Sequence, residues 1–317
     1  MRNVLILMLF FFAENVLFAA VLPINLKQHA DSTPVKIRKN HIKLTKYLIK
    51  TARNEEEKVL IISYWISKNI IYDKSEVKRL GRNKKANELL QNRRGVCGCI
   101  ANLFQQMCDD AAVKCATING NAYGNFYKRY FTYFHLRHDW NAVYLAGEWK
   151  LVDATWDIDR VKTTQFKKDR KLEWVFKNPS DFASSHFPNN PSWQLINDIY
   201  TKKDFWRQQA PVKKDYMFVD SLKYYLDSSK VLAQLSSIKS AYYFDHKKEK
   251  FINSMNALGW RTIFDATDSI QIAQGLIVYH TLNEVLKEIG FEKYKKQFES
   301  TLVFIENHKE VGILARK

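Results

Sequence analysis

Between Arg93 and Ala101 the chain reads Arg93-Arg94-Gly95-Val96-Cys97-Gly98-Cys99-Ile100-Ala101, and the residues just downstream fix the local geometry. Ile100, Leu103, Phe104, Met107, Cys108 and Ala111 recur at steps of three and four, the spacing that lays one apolar stripe along a helix. A glycine turn therefore hands a cysteine to the first turn of a buried helix. At about 100° per residue the stripe centres about 50° from Cys97 and about 110° from Cys99. Cys97 is thus expected at the edge of the buried face, with Cys99 pointing elsewhere. A thiol at a helix N-terminus meets backbone N–H groups and the positive end of the helix dipole, both of which favour thiolate. The competing reading of the same residue is a small buried hydrophobe.

The 317 residues leave room for one large domain or two ordinary ones, and 46% hydrophobic content excludes a disordered chain. Val4 to Ala13 carries no charge and is followed by Leu17-Phe18-Ala19-Ala20. That run is too short to span a bilayer and has the pattern of a cleaved secretory signal over residues 1–20, so the protein is expected to be exported, to a periplasm or outside the cell. No later apolar run is long enough to span a membrane. The formal charge is +17, and loss of Arg2 and Glu14 with the leader leaves it unchanged. Such a charge favours anionic partners, among them an envelope surface or acidic proteins, and export makes nucleic acid the least expected of them. All four cysteines fall between positions 97 and 115. This is not the spread of a disulfide-stapled domain, and with no Cys-x-x-Cys pair and no His inside the cluster a zinc site is a poor reading. Cys108 and Cys115 either pair with each other or stay reduced.

Residues 21–40 read as an irregular arm. Asn54 followed by Glu55-Glu56-Glu57 is a helix start with a capping side chain and acids in the first turn. The helix runs to about Asn69, and Ile70-Ile71-Tyr72-Asp73 is an extended exit. A basic segment of Lys78, Arg79, Arg82, Lys84, Lys85, Arg93 and Arg94 leads into Cys97, and a second spans 160–171. Both could rim one cleft that prefers acidic substrates, or both could be solvated loops. Val113 to Asn119 reads as a strand, followed by an aromatic run from Phe126 to Phe134. His138 to Leu145 and Glu148 to Trp156, joined at Ala146-Gly147, read as a hairpin. A two-residue turn pairs Leu145 with Glu148, Trp140 with Asp153 and His138 with Thr155. His138 and Asp153 then share a face as diagonal neighbours within hydrogen-bond reach. Trp174 to Leu195 is a Pro- and Trp-rich wrap. From 201 to 317 the spacing turns helical, at 215–235, 247–258, 268–289 and 292–305, with Gly259 and Gly290 placed as C-terminal caps. This helical region carries no catalytic signature, and His246, His280 and His308 are scattered through it.

Cys97, His138 and Asp153 arrive in the chain order of a thiol acyl-transfer triad: a nucleophile, a proton shuttle and a carboxylate that orients the imidazole. Here the sequence resembles the transglutaminase-like superfamily of papain-type cysteine enzymes, and within it the bacterial, kyphoscoliosis-peptidase-like branch. The residues that carry the resemblance are Tyr64-Trp65-Ile66 with Asn69-Ile70-Ile71-Tyr72-Asp73, then Arg94-Gly95-Val96-Cys97, His138-Asp139-Trp140-Asn141-Ala142-Val143, and Trp149-Lys150-Leu151-Val152-Asp153-Ala154-Thr155-Trp156. Asn178-Pro179, His186-Phe187-Pro188 and Trp193-Gln194-Leu195 also match that branch, so the resemblance covers about 42–196. It implies an α+β core over 41–200 in which the Cys-bearing helix packs on an antiparallel sheet carrying His and Asp. It also implies Cys97 as nucleophile, His138 as general acid and base, Asp153 as orienting acid, no metal or organic cofactor, and a protein or peptide substrate. Two positions depart from the pattern. Cys97-Gly98-Cys99-Ile100-Ala101 stands where the family usually has Cys-x-Gly-Tyr-Ala, and Asp139 stands where a small residue is common. Cleavage, amine transfer and deamidation all share a thioester and are not separated by these residues. A noncatalytic envelope binding or scaffold protein keeping the same fold is the alternative.

Overall fold

The computed structural model describes residues 22–73, 75, 86–123, 136–158, 172–213, 222, 230–245, 248–264, 269–288 and 303. The leader, basic residues 78–85, the aromatic run 126–134, the basic stretch 160–171 and, apart from Val303, the helix placed at 292–305 lie outside them. So does Gly290.

The arm is more ordered than its prolines suggest. Helix α1 (Ile24–Asp31) begins right after Pro23 and buries Leu26 and Ala30, one turn apart, on a single face. It packs on helix α3 (Glu55–Asn69), where the Tyr64 hydroxyl donates to Asp31 at 3.0 Å and Lys68 pairs with the same carboxylate at 2.6 Å. Between them lies α2 (His41–Leu48), capped by Asn40, which accepts the Lys43 N–H at 2.9 Å. Asn54 caps α3 by accepting the Glu57 N–H at 2.9 Å, as its sequence signature predicts. Glu57 reaches back past the cap to accept the Arg53 backbone N–H at 2.8 Å, and the Arg53 guanidinium holds its carboxyl below the usual range.

The exit of α3 forms strand β1 (Ile71–Tyr72). After α4 (Ala86–Asn92), strand β2 (Arg94–Gly95) pairs in parallel with β1, and Arg94 meets Asp73 at 3.2 Å. The Asn69–Asp73 motif therefore fixes the chain immediately before Cys97. Helix α5 (Cys97–Asp110) comes next, buried along Ile100, Leu103, Phe104, Met107 and Cys108. Cys97 is half-buried at its edge, as expected. Cys99 is not turned away, however, but 1% exposed in the same core. A single-stripe argument fails there because the first turns of α5 are covered on several sides: a side chain at Gly95 would reach Leu89 at 2.7 Å and the Cys99 Cβ at 3.1 Å. All four cysteines are free thiols.

The sheet is antiparallel in the order β5-β4-β3-β6, built from β3 (Cys115–Ala122), β4 (Leu136–Leu145), β5 (Glu148–Val152) and β6 (His186–Pro188). The β4–β5 turn is the expected two-residue one, with φ of 50° at Ala146 and 88° at Gly147. Alternation divides the sheet: Asn141, Val143 and Leu145 face α5, and the Asn141 amide donates to the Ala101 carbonyl at 3.1 Å. Trp140, Ala142 and Leu151 face the opposite way, onto Phe182 of α6 (Pro179–Ala183) and Trp193. A small pair, β7 (Asp198–Ile199) and β8 (Val212–Lys213), flanks α7 (Lys202–Arg207).

Helices α8 (Lys230–Asp245), α9 (Lys248–Phe264) and α10 (Ser269–Glu288) bury a separate core. Gly259 lies inside α9 and is not the cap its position suggests. A side chain there would meet the Tyr279 ring at 2.8 Å, and one at Gly275 would meet Ile263 at 2.3 Å, so the two glycines serve close helix–helix approach. No helix among the described residues is long and apolar enough to cross a membrane.

Candidate active site

The hairpin register runs as predicted from Leu145 opposite Glu148 to Asn141 opposite Val152. There the ladder ends, so Thr155 does not face His138. Asp153 instead gives its N–H to the Trp174 carbonyl at 2.9 Å and opens a turn over 154–157. That turn folds back on its own carboxylate: Oδ1 accepts the N–H groups of Thr155 at 2.9 Å and Trp156 at 3.1 Å. Oδ2 lies 2.7 Å from His138 Nε2, the contact the diagonal pairing predicts. It also lies 3.0 Å from His186 Nε2. Four donors thus occupy one carboxylate with no exposure to solvent.

Charge is set by this arrangement. Burial alone would raise the Asp153 carboxyl, but the charge and hydrogen bond of His138, with the His186 bond, hold it far below the usual carboxylate range. Burial alone would lower His138, yet the charge and hydrogen bond of Asp153 and a lesser contribution from the Cys97 thiol raise it to about 10. Burial, reinforced by the charge on His138, takes His186 down to about 4 despite its bond to Asp153. Near neutral pH the cluster is an anion between one cationic ring and one neutral ring. The His186 Nε2 must carry its proton toward Asp153, which leaves its Nδ1 an acceptor; Ser185 Oγ lies 2.9 Å from Nδ1 and also donates to the Phe182 carbonyl at 3.1 Å.

Aromatic rings wall the cluster. Trp156 and Phe182 stand 4.3 and 4.0 Å from the His186 ring, and Trp140 and Trp156 lie 6.0 and 5.8 Å from that of His138. They exclude water and so strengthen the charge pairing. His186 is brought in by β6, whose partner β3 pairs Ala122 with His186 and Gly120 with Pro188. Gly120 also lies opposite His138, and a side chain there would strike the Phe187 carbonyl at 2.3 Å and the Trp140 ring at 2.5 Å.

Cys97 opens α5, where the N-cap residue is Val96 and no side chain caps the first turn. With Nε2 of His138 committed to Asp153, its other ring nitrogen is the one left for Cys97, whose nearness adds a lesser contribution to raising His138. His186 is the residue that sequence reasoning misses: it belongs to the His186-Phe187-Pro188 motif, but nothing local gives it a role. That motif is its only advance signal, because the β3–β6 pairing that delivers it is remote in sequence. His138, Asp153 and His186 also offer one ligand atom each within 4.8 Å, a donor set of two nitrogens and an oxygen that could suit a metal. Metal binding would require both rings to surrender the protons they now share with Asp153.

Residues 42–154 match the model of the Transglutaminase-like superfamily. Kyphoscoliosis peptidase of Mus musculus is 31% identical over 196 residues, covering 57% of this chain and 30% of that protein. Kyphoscoliosis peptidase of Homo sapiens is 32% identical over 175 residues, covering 51% and 26%. The chain therefore spans less than a third of the length of these curated relatives. A solved structure of a TGase aligns with a TM-score of 0.30 at 15% identity, over 46% of this chain and 40% of that one. The stretch 42–154 that is similar to the transglutaminase-like superfamily includes Cys97, His138 and Asp153 but not His186.

Proposed function

We propose that this protein is an exported cysteine-dependent hydrolase or acyltransferase of peptide or side-chain amide bonds, with peptide cleavage as its leading reaction. The observation that carries the reading is the buried His138–Asp153 pair, whose imidazole Cys97 also helps to raise. In this reading the cationic His138 already holds the proton given up by the Cys97 thiol, and the sulfur attacks the amide carbonyl carbon to form a C–S bond while the carbonyl π electrons move onto oxygen. The Cys97 backbone N–H, at the uncapped start of α5, donates to that oxygen. When the oxyanion collapses, the C–N bond breaks and the amine leaves with the proton held by His138. Water, or a second amine, then gives its proton to His138 and attacks the thioester, which releases the acid or a new amide and restores the thiol. Asp153 keeps the ring in the orientation and tautomer these transfers need. The name of the kyphoscoliosis peptidases supports the peptidase reading, and the charge of +17 supports acidic substrates or an anionic envelope surface.

The test incubates the protein and its Cys97→Ala variant with an envelope protein extract and a labelled amine, and reads products by mass. New peptide ends identify a protease, amine adducts a transglutaminase, and a one-unit shift a side-chain amidase. Each should fall to background in Cys97→Ala. Absence of any Cys97-dependent product overturns the enzyme reading in favour of a binding or scaffold role.

A further inference from the structure

Asp153 Oδ2 serves two rings, and only one of them belongs to the triad. Resting on the reading of Cys97, His138 and Asp153 as the reacting set, we infer that His186 is its positioning residue: the second donor to Asp153 Oδ2, which holds the carboxylate against His138 and divides its negative charge between two rings.

Three observations carry this beyond packing. The contact is polar and directed, 3.0 Å from His186 Nε2 to the same oxygen that binds His138 at 2.7 Å. The far side of the His186 ring also has a polar neighbour, Ser185 Oγ at 2.9 Å from Nδ1, a hydroxyl shared with the Phe182 carbonyl at 3.1 Å, so the ring sits between two polar contacts with Nε2 aimed at Asp153. And the fold makes room for it, since Gly120 lets β6 and the Trp140 ring close over the site where any side chain would block them. A carboxylate that accepts from one ring alone concentrates its basicity there; a second neutral donor shares that charge without adding a positive one. The titratable groups facing this cluster are His138 from β4, Cys97 from α5 and Asp157 from the turn after β5. The Asp157 carboxyl is itself pushed up, by burial and then by the charge of Asp153, although it also accepts the Trp174 and Glu173 N–H groups at 3.1 and 2.9 Å.

The test is a titration of His138 by NMR on the full chain labelled with 15N at histidine, which requires no substrate. His186→Phe keeps a ring of similar size and removes the donor, His186→Gln keeps an amide N–H near the position of Nε2, and Ser185→Ala frees the Nδ1 side. Losing a donor to Asp153 concentrates its charge on His138, so the His138 midpoint should rise by about 0.5–1 pH unit in His186→Phe, by less in Ser185→Ala, and stay within about 0.2 unit of wild type in His186→Gln. If His186→Phe does not fold, an unchanged Gln midpoint together with a raised Ser185→Ala midpoint carries the inference. An unmoved midpoint in both His186→Phe and Ser185→Ala, or a Gln variant that behaves like Phe, overturns it. These outcomes are separate from the fate of the enzyme reading, which stands or falls on products lost in Cys97→Ala.

Discussion

The two cores bury polarity in opposite ways. Behind the sheet, aromatic side chains enclose a carboxylate and two imidazoles, and both oxygens of Asp153 accept two donors each. In the C-terminal helices the core is Phe251, Met255, Val278, Leu282 and their neighbours. The main polar group there is the Tyr279 hydroxyl, which donates to Asn256 at 3.0 Å and is pushed up to about 12 by burial. The first core depends on a few directed contacts, each of which needs the others, whereas the second depends on packed area, which can be lost by degrees. Catalytic chemistry requires the former; an appended helical unit needs only the latter.

The largest contrast should come from removing one central residue of each. Asp153→Ala leaves the His138 ring without its counter-charge and His186 without its acceptor, and breaking such a buried pair costs about 3–5 kcal/mol. Any Cys97-dependent activity should fall about 10⁴-fold, the scale seen when an orienting carboxylate is lost. Leu282→Ala should cost about 2–5 kcal/mol through lost transfer energy and the cavity left behind. Urea unfolding measures both, but only Asp153→Ala should disturb the histidine NMR signals of the site. A Leu282→Ala variant with altered His138 resonances would break the comparison by showing that the two cores are coupled.

A smaller pair of variants asks how each core tolerates added volume. At Gly120 a new methyl group has backbone on one side and the Trp140 ring on the other, so Gly120→Ala should cost about 1–3 kcal/mol. It should also loosen β6, so that His138 titrates as it does without the His186 donor. At Gly275 the obstacle is the Ile263 side chain, which can move, and alanine gains up to about 1 kcal/mol over glycine inside a helix. Gly275→Ala should therefore be milder, about 0–2 kcal/mol, with no change at the site. Equal losses in the two variants would mean that the helical core is as exacting as the core around Asp153.

These differences explain which features are legible in the sequence. Local signals are dependable: the Asn54 cap, the extended exit at Ile71–Tyr72, the turn at Ala146-Gly147 and the register down to Asn141 opposite Val152 all arise from residues close in the chain. Extending that register anticipates the His138–Asp153 contact, although the ladder stops at Val152 and the turn that follows places Asp153. Features that depend on tertiary approach are not legible in this way. Cys99 defeats the helical-stripe argument because that argument assumes one buried face, and the arm looks irregular because α1 gains its order from packing on α3. Gly259 has the position of a cap but serves a contact with Tyr279, a residue on another helix. His186 is visible as a letter and not as a ligand of Asp153, because a remote strand pairing puts it there.

The least abrupt effect is the pH dependence of stability, and it too separates the cores. His186 is held down to about 4 in the folded chain against an ordinary 6.5, so the unfolded chain binds more protons between those values and stability rises with pH across that window. His138 is raised to about 10, so its contribution is complete below 6.5 and is lost as pH climbs toward 10. Asp153, held down, contributes fully above about 3.9 and loses that contribution only in stronger acid. Together the three place the maximum near pH 6.5, and each histidine can add a slope of at most about 1.4 kcal/mol per pH unit. In urea titrations from about pH 4 to about pH 10, His186→Gln should flatten the acid side and His138→Gln the alkaline side. Leu282→Ala should lower the whole curve and leave its shape alone. A profile whose shape changes with Leu282 and not with either histidine would place the titrating groups outside the aromatic-walled cluster.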